Sequence, residues 1–408
     1  MKTLLLSGFG NNISVDKRKL IISNKLEKSR LEFYPHQISY DSIIIDGNYG
    51  MITFEAIRWL MKHDITLTTL NWNGNLLSTT LPKEPTSGKL KLKQYEKYLN
   101  NNERRKIALS ILDEKVKNSL NLLITLSDYY KGLSKEEIIT LFERESADFK
   151  RNLKNNEEFT KKSLNRLLTY EARIADIYWS SLKSIFTHLA PEFNFKSRQS
   201  KSYSWNNNAS DEVNALLNYG YALLESIIRK DINTVGLDLT IGFLHEPAQS
   251  KTPLVYDLQE LYRWLVDLSV IQLLEERKLK KSDFTVTENY NIRLKATASK
   301  ALLDKLTSNL NQTVEYRSKL HSYEFILLDN VRNLANYIAD NKITLSFEIP
   351  TFIINRSDTK ELRNTILQIT PEDRKRLGIN KSTLWYQQKA LREGRKIKVY
   401  LKVKNKIS

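Results

Sequence analysis

The spacing of hydrophobic and polar residues divides the chain into a β-rich beginning and a helical middle. Within residues 1–88, short runs of apolar and β-branched residues alternate with polar ones, a pattern typical of strands. Turn signals at 10–12, 46–48 and 73–75 separate these runs. The pattern predicts a sandwich-like β domain with strands at Thr3–Leu6, Lys19–Ser23, Ser42–Asp46, Ile65–Asn71 and Leu76–Leu81, and one amphipathic helix at Thr53–Lys62.

A hydrophobic period of 3.6 residues replaces this alternation from residue 89 to about 340 and predicts a large all-α domain. The run Pro82–Gly88, with two prolines and a glycine, is the expected hinge before it. Helices in 89–165 are expected to link or cover other parts, whereas 166–325 carries the candidate chemistry. Residues 341–358, with the β-like run ITLSFEIPTFII, are the expected connector. The predicted fold class is therefore α+β and multidomain.

Residues 359–408 predict a C-terminal helix-turn-helix. Short helices at Thr359–Gln368 and Pro371–Leu377 precede a turn at Gly378 and a basic helix at Lys381–Glu393. The alternating run KIKVYLKVK that follows is expected to form a strand against the DNA backbone. The side chains expected to contact DNA are Lys381, Ser382, Thr383, Tyr386 and Gln387 in a major groove, and Arg395 and Lys396 beyond the helix.

A glutamate interrupts the apolar face of the helix predicted at Lys161–Leu189. Burying a lone carboxylate is costly unless it is neutralised, paired or bound to a metal. Glu171 could therefore be a metal ligand, could pair with an arginine such as Arg166 or Arg173, or could lie at a solvated edge. The apolar positions that follow one another in steps of three and four, once Glu171 is counted, are Leu164, Leu168, Ala175, Tyr178, Leu182, Ile185 and Leu189.

The segment Gly236–Arg263 places a histidine and two acids close together in the sequence. His245 lies in a turn bounded by glycine and proline, and Asp257 and Glu260 belong to the helix that follows. An imidazole with carboxylates suits Mg²⁺ or Mn²⁺, which activate oxygen nucleophiles against phosphate esters. Taken singly, the histidine could be a hydrogen-bonded structural residue, and the acids could merely favour the helix N-terminus.

The chain of 408 residues is strongly basic, with 64 Lys and Arg against 47 Asp and Glu and a net charge of +17. The stretch Pro371–Ser408 holds 12 basic and 3 acidic residues, so +9 of this charge lies in 38 residues. Such a cluster favours a polyanionic partner, DNA above all. A coding bias towards Lys, Asn and Ile could raise the total charge, and a solvated basic tail is the plainer alternative for the cluster.

The absence of cysteine excludes disulfides, thiolate metal sites and cysteine nucleophiles. A reducing cytoplasm is the expected compartment. The start, MKTLLLSGFGNN, has too short an apolar run for a signal peptide, and no run approaches the roughly 18 apolar residues of a membrane span. No membrane partner is therefore expected.

Four motifs in a fixed order resemble one known family. They are YEARIADIYW at 170–179, DEVNALLNYGYALL at 211–224, GLDLTIGFLHEP at 236–247 and LVYDLQELYR at 254–263. In this order they resemble the CRISPR-associated integrase family, the first of the two core adaptation proteins, over roughly residues 1–325. The resemblance implies an N-terminal β domain that dimerises, followed by a helical catalytic domain.

The resemblance also implies a divalent metal site, for Mg²⁺ or Mn²⁺. Its ligands match Glu171, His245 and Glu260 in this sequence. Asp257 matches a further acid near the metal, either as a direct ligand or as the partner of one. Members of the family often carry aspartate where Glu260 stands, so which of the two acids binds the metal directly stays open.

Three more residues match positions of the family that lie near DNA. Lys251 matches a basic residue between the histidine and the acids. Asn214 and Tyr219 match the second motif, whose polar side chains support the DNA strand or the packing around the site. These matches are predictions for this chain that rest on the resemblance alone.

The chemistry implied by the resemblance is DNA strand transfer. A DNA 3′-hydroxyl attacks a target phosphodiester, joining one strand and releasing another. No covalent enzyme intermediate is needed, and with water as the nucleophile the same site would cut DNA. A member with an added helix-turn-helix resembles the casposases, relatives encoded by casposon mobile elements, which insert an element's ends without the second adaptation protein.

Other functions stay open on the sequence alone. The chain could insert spacers into a CRISPR array as an adaptation integrase, act as a metal-dependent repair nuclease, or regulate by binding DNA with an inert site. A decayed site would be expected to lose some of Glu171, His245 and Glu260, which are all present. The expected partners are double-stranded DNA of element ends and target, and further copies of the chain, as a dimer or a dimer of dimers.

Overall fold

The computed structural model describes residues 3–24, 26, 28–47, 49–71, 74–82, 88–130, 132–152, 161–198, 209–249, 251–287, 291–340, 343–352, 366–376 and 379–392. The chain divides into two compact units, Met1–Phe352 and Ile353–Ser408. The first unit is α+β, with a β-sheet domain ahead of a largely helical one, as the hydrophobic pattern predicted. Within the described ranges, no helix has the length and apolar character needed to cross a membrane.

Two four-stranded sheets are described at the start of the first unit. Their strands are β1 (Thr3–Ser7), β2 (Asn11–Asp16), β3 (Lys19–Asn24), β4 (Ser29–Phe33), β5 (Ser42–Asp46), β6 (Gly50–Ile52), β7 (Thr66–Leu70) and β8 (Leu76–Thr80). One sheet has the order β1-β5-β7-β8 and the other β4-β3-β2-β6. β5 lies parallel to β1 and β7, and β2 lies antiparallel to β3 and parallel to β6.

One hydrophobic core joins the two sheets to helix α1 (Phe54–Lys62). The hydroxyl of Thr53 accepts a hydrogen bond from the backbone N–H of Ala56 at 3.1 Å, which caps the helix where the sequence predicted its start. The core side chains are Leu6, Ile13, Leu20, Ile22, Ile43, Ala56, Trp59, Leu60, Ile65 and Leu67. Alternation along the strands and the 3.6-residue period of the helix bring these residues to one side.

The five predicted strands and the predicted helix are all present, and their ends differ by at most one residue. β2, β4 and β6 were not predicted. The Asn11 and Asn12 pair suggested a turn, but Gly10, with φ +83°, makes that turn, and Asn11 begins β2. The Asn11 side chain donates to Ser7 O and accepts from Asn24, so its polarity is satisfied within the sheet.

The second half of the first unit is built from helices. They are α2 (Gly88–Leu99), α3 (Asn101–Ser127), α4 (Lys135–Asn152), α5 (Lys161–Leu189), α6 (Glu212–Val235), α7 (Pro253–Glu260), α8 (Arg263–Glu275), α9 (Ala296–Leu310) and α10 (Tyr323–Ala339), with the hairpins β9 (Phe284–Val286)–β10 (Ile292–Leu294) and β11 (Thr313–Tyr316)–β12 (Lys319–Ser322). Buried residues lie on all sides of α6, so it is the central helix. Asp211 caps its start, and Gly236, with φ +83°, ends it.

A glycine in α6 allows α8 to approach closely. A Cβ added to Gly220 would lie 2.4 Å from Cγ1 of Val266. Gly220→Ala should therefore lower the free energy of unfolding by about 1–3 kcal/mol through overpacking, although alanine favours helices. Gly88→Ala is the matched control, because no atom lies within 4 Å of its added Cβ. Chemical denaturation measures both, and a Gly220→Ala variant as stable as the wild type would contradict this packing.

The connector predicted to be β-like forms no strand within 343–352. Its apolar residues nevertheless alternate with exposed ones, and Leu345, Phe347 and Ile349 are buried. Tyr323 of α10 donates to Pro350 O at 2.9 Å, and the N–H of Ile349 donates to Glu114 of α3 at 3.2 Å. The segment pairs with helices and not with another strand, so its alternation reflects packing on a helical surface.

The second unit contains two described helices, α11 (Pro371–Arg376) and α12 (Lys381–Arg392). The N–H of Ile379 donates to Arg374 O at 3.0 Å, and Asn380 caps α12 by accepting from the N–H of Ser382 at 3.0 Å. Ile366, Ile379 and Leu384 are buried in this unit. Leu377 at the end of the second predicted helix, Gly378 of the predicted turn, most of the first predicted helix and the run KIKVYLKVK lie outside the described residues.

Candidate metal centre

The loop between α6 and α7 is organised by one buried carboxylate. Asp257 on α7 is fully buried, and its Oδ2 accepts hydrogen bonds from the N–H groups of Phe243 and Leu244. Its Oδ1 accepts from the N–H of His245 at 2.9 Å and lies 2.8 Å from His245 Nδ1. Gly242 permits this, since an added Cβ would lie 2.9 Å from Asp257 Oδ2. The loop therefore wraps around the carboxylate.

This arrangement assigns different tasks to Asp257 and His245. An Nδ1–H that donates to Asp257 leaves Nε2 as the free lone pair, the state in which histidine binds metals. Burial alone would lower the pKa of His245. The hydrogen bond and charge of Asp257, together with the charges of Glu260 and Glu171, outweigh burial and raise this pKa above its ordinary value. Since both oxygens of Asp257 are occupied by donors, its geometry fits the orientation of His245 and not direct metal binding.

The two glutamates predicted as ligands are held by one lysine. Lys115 of α3 pairs with Glu171 of α5 and, at 2.6 Å, with Glu260 of α7. Arg263 also pairs with Glu260 at 2.9 Å. Burial raises the pKa of Glu260, but the charges of Arg263 and Lys115 outweigh it and lower the value to about 2. Both carboxylates are therefore direct neighbours of the same cation.

The donor set fits a divalent cation in kind. Two carboxylates and an imidazole with a free nitrogen are ligands for Mg²⁺ or Mn²⁺. Glu171, His245 and Glu260 lie close enough for both carboxylates to raise the pKa of the histidine. Among the described residues, no three His, Asp or Glu side chains converge tightly enough to hold an ion, and Lys115 lies between the two glutamates. The bridging ammonium shows that this carboxylate pair attracts a cation.

A cavity of about 980 Å³ opens beside the glutamates. Arg198 lies in its wall, where it donates to Asn214 Oδ1 at 3.0 Å and to Asn218 Oδ1 at 2.8 Å. Its guanidinium lies 5.2 Å from the ring centroid of Tyr221. Asn214 is thus a wall residue that orients an arginine. The cavity is also lined by Lys115, Glu171, Tyr178, Trp179, Glu260, Arg263 and Asp267.

A buried aspartate lies in the wall of the same cavity. Tyr178 and Tyr221 both donate to Asp267, at 2.6 and 2.5 Å. Burial raises the pKa of Asp267 to about 6, and the two hydroxyl donors oppose the shift. The sequence pattern predicts Tyr178 only as an apolar position, and it does not mark Lys115, Arg198 or Asp267 as candidate site residues. No local pattern marks these residues, since each acts through partners distant in sequence.

Two further predicted residues of the first unit, Tyr219 and Lys251, are not among the residues that line this cavity. Tyr219 is 2% exposed, and its hydroxyl donates to Asp46 of β5 at 3.1 Å, so it packs and presents no surface to DNA. Arg293 pairs with the same Asp46 at 2.9 Å. Lys251 is exposed in the loop before α7.

The predicted DNA-contacting residues of α12 divide between two faces. Lys381, Ser382 and Tyr386 are exposed and Thr383 is half-buried. Gln387 departs from the prediction, because it lies on the inner face of the helix with 3% exposure. Trp385 was not among the residues predicted to contact DNA, but it is 60% exposed and lies next to Tyr386 in the chain. Arg395 and Lys396 lie outside the described residues.

Comparisons with known proteins agree on one family. The sequence model described as CRISPR associated protein Cas1 matches residues 4–308. A CRISPR-associated endonuclease Cas1 of Archaeoglobus fulgidus is 27% identical over 82% of this chain and 96% of its own length. A solved casposase bound to integration product is 35% identical, with a TM-score of 0.77, over 90% of this chain and 99% of that one. A Cas1 protein from Thermotoga maritima, 18% identical with a TM-score of 0.65 over 86% of this chain and all of that one, shares the fold.

Proposed function

Because the chain belongs to the Cas1 family of metal-dependent DNA endonucleases and integrases, we propose that it is a casposase. It would join the 3′-hydroxyl ends of a mobile element to target DNA by transesterification. The supporting observation is the extent of similarity to the solved casposase. That similarity covers 90% of the chain of 408 residues, and this share is longer than the first unit, which has 352 residues.

The metal centre would supply the chemistry of the reaction. A Mg²⁺ or Mn²⁺ ion held by Glu171, His245 and Glu260 would activate the 3′-hydroxyl and stabilise the negative charge on the phosphate oxygens. Asp257 keeps His245 in the tautomer and orientation that such binding requires. With water in place of the 3′-hydroxyl, the same residues would cut DNA.

Three cations of the chain would bind the phosphates around the reacting bond. Lys115 and Arg263 lie at the carboxylates, and Arg198 lies in the wall of the adjoining cavity. Arg198 is held by two amide oxygens, so its charge is fixed in place before DNA binds. Preorganised charge of this kind stabilises a phosphate more than mobile surface lysines do. No step needs a covalent bond between protein and DNA.

The second unit would bind the element's terminal repeats through α12. Lys381, Ser382 and Tyr386 share its exposed face with Trp385, whereas Gln387 faces inward. An exposed helix with polar, basic and aromatic side chains suits a major groove. Phosphate contacts alone would give binding that is blind to sequence and sensitive to salt.

Tyr386→Ala should weaken binding to terminal-repeat duplexes by about 1–3 kcal/mol relative to unrelated duplexes. The reason is the loss of an exposed side chain, 61% accessible, from the face proposed to read bases. Tyr34→Ala removes a tyrosine that is 51% exposed on the first unit and serves as the control. Fluorescence anisotropy with both duplexes measures the difference. An equal loss on both duplexes would mean that Tyr386 contacts only the backbone.

A second copy of the chain would dock on the β domain. Phe9, Leu26, Tyr49 and Met51 are between 61% and 74% exposed, and Met51 lies on β6, at an edge of its sheet. Several exposed large apolar side chains in one domain, with one of them on an edge strand, suit an association surface. Two DNA ends also need two active sites. Light scattering should give the mass of a dimer, or of a dimer of dimers with DNA, and a monomer at micromolar concentration would contradict this assembly.

The second candidate function is a CRISPR adaptation integrase, which the Archaeoglobus fulgidus relative favours. An integration assay separates the two candidates. The casposase proposal predicts that the protein alone inserts DNA carrying the element's terminal repeats. Insertion that strictly requires a second adaptation protein and a CRISPR leader–repeat target would reject it in favour of spacer acquisition.

A further inference from the structure

Helix α2 lies against the loop that carries His245. Gln94 of this helix is fully buried, and its Nε2 donates to the carbonyl oxygens of Asp238 and Ile241, both at 2.9 Å. Its Oε1 accepts from the N–H of Asp238 at 2.7 Å. Both amide hydrogens and the amide oxygen of one side chain are therefore used on one loop.

The loop depends on such partners because residues 237–249 form neither helix nor strand. Backbone polar groups that are buried without secondary structure need hydrogen-bond partners, which side chains, other backbone groups or water can supply. Asp257 satisfies the N–H groups of residues 243–245. Gln94 satisfies backbone groups of Asp238 and Ile241.

Further contacts from α2 and α3 hold the end of the loop. Arg104 of α3 donates through Nε to Phe243 O at 3.1 Å and pairs with Glu246 at 2.9 Å. Tyr98 of α2 donates to the same Glu246 at 3.0 Å. His245 thus lies between a segment fixed by Gln94 and a residue fixed by Arg104 and Tyr98.

We infer that Gln94 is a positioning residue for metal binding by His245. It fixes the backbone course that lets three consecutive N–H groups converge on Asp257, and this convergence sets the direction of the imidazole. The hydrogen bonds of the Gln94 side chain go to Asp238 and Ile241 and not to a proposed ligand, so its effect on His245 passes through the loop backbone. The inference rests on the metal role of His245 within the proposed function.

Gln94→Met tests the inference, because methionine has a similar volume and no hydrogen-bond donor. Two carbonyl oxygens and one N–H of the loop would lose their partner, and the imidazole would no longer be held in one direction. Mn²⁺ binding to the full-length protein, measured by electron paramagnetic resonance without DNA, should weaken by about 10–100-fold, as for the loss of an outer partner of a ligand. Strand joining should recover at correspondingly higher Mn²⁺ concentration. Gln94→Glu keeps the shape but sets a carboxylate against two carbonyl oxygens, and it should weaken Mn²⁺ binding in the same way.

Asn309→Leu is the matched control. Asn309 is also a buried amide, and it donates to Ser269 Oγ at 2.8 Å and to Gln272 Oε1 at 3.0 Å, away from the loop. It should lower the thermal midpoint without changing Mn²⁺ affinity. The inference is overturned if either Gln94 variant, folded by circular dichroism, binds Mn²⁺ like the wild type, or if Asn309→Leu weakens binding equally. Mn²⁺ binding that depends on both Gln94 and His245, without any strand joining, would reject the proposed function and support the role of Gln94.

Discussion

Replacing His245 with alanine is expected to reduce Mn²⁺-dependent strand joining by more than about 100-fold, because the loss of a ligand's outer partner alone typically costs about 10–100-fold. His245 is the one nitrogen donor of the proposed set, and its Nε2 is left free by the hydrogen bond from Nδ1 to Asp257. A gel assay of labelled strand joining at fixed Mn²⁺ measures the effect.

Two controls separate this effect from misfolding or lost DNA binding. His321→Ala removes a histidine that stacks on Phe325 at 4.1 Å between ring centroids, on a different surface, and it should join strands like the wild type. Affinity of His245→Ala for duplex DNA should change little, since the basic residues of α12 are untouched. Undiminished joining by His245→Ala would refute the assignment of this histidine.

Asp257→Asn is expected to weaken metal binding by about 10–100-fold and to destabilise the protein by about 1–3 kcal/mol. The carboxylate accepts hydrogen bonds from three backbone N–H groups and from the imidazole. Together these four donors occupy both of its oxygens. An asparagine has one acceptor oxygen, so its NH₂ group would face two donors. Manganese titrations and chemical denaturation measure the two losses. Wild-type Mn²⁺ affinity in this variant would show that the aspartate does not orient His245.

Asp231→Asn is the matched control for a buried aspartate. Burial raises the pKa of Asp231 to about 8, so the folded protein holds it protonated and neutral at pH 7, whereas the unfolded chain ionises it. A raised carboxyl pKa gives stability that is present at low pH and is lost as the pH rises from about 4 to 8. An uncharged asparagine should therefore leave the protein at least as stable at pH 7, in contrast to Asp257→Asn.

The hydrophobic pattern predicted those parts of the fold that depend on local periodicity. β5 and α1 were located almost to the residue, because apolar alternation and a threonine cap are properties of short segments. β2 was missed because its first residues, Asn11 and Asn12, are typical of turns, and their place in the sheet depends on distant partners such as Asn24. The same holds for 343–352, where alternation reflects packing on helices.

The proposed metal ligands could be picked out from sequence, but their partners could not. Glu171 was predicted to be a ligand, to pair with a nearby arginine or to lie at a solvated edge; the structure gives it Lys115, 56 residues away in the chain. Asp257 was left open between ligand and partner, and the four donors around its carboxylate favour the role of partner. Gln387 faces inward because the helix phase places it beside the buried Leu384.

The most direct test of the integrase function follows one labelled DNA strand. A 3′-hydroxyl oligonucleotide carrying the element's terminal repeat, labelled at its 5′ end, is incubated with a circular plasmid, the purified full-length protein and Mn²⁺. We expect the label to become covalently attached to the plasmid, which is nicked at the site of joining, without any other protein. A protein that nicks the plasmid in the same reaction but never transfers the label would contradict it and would identify a hydrolytic nuclease.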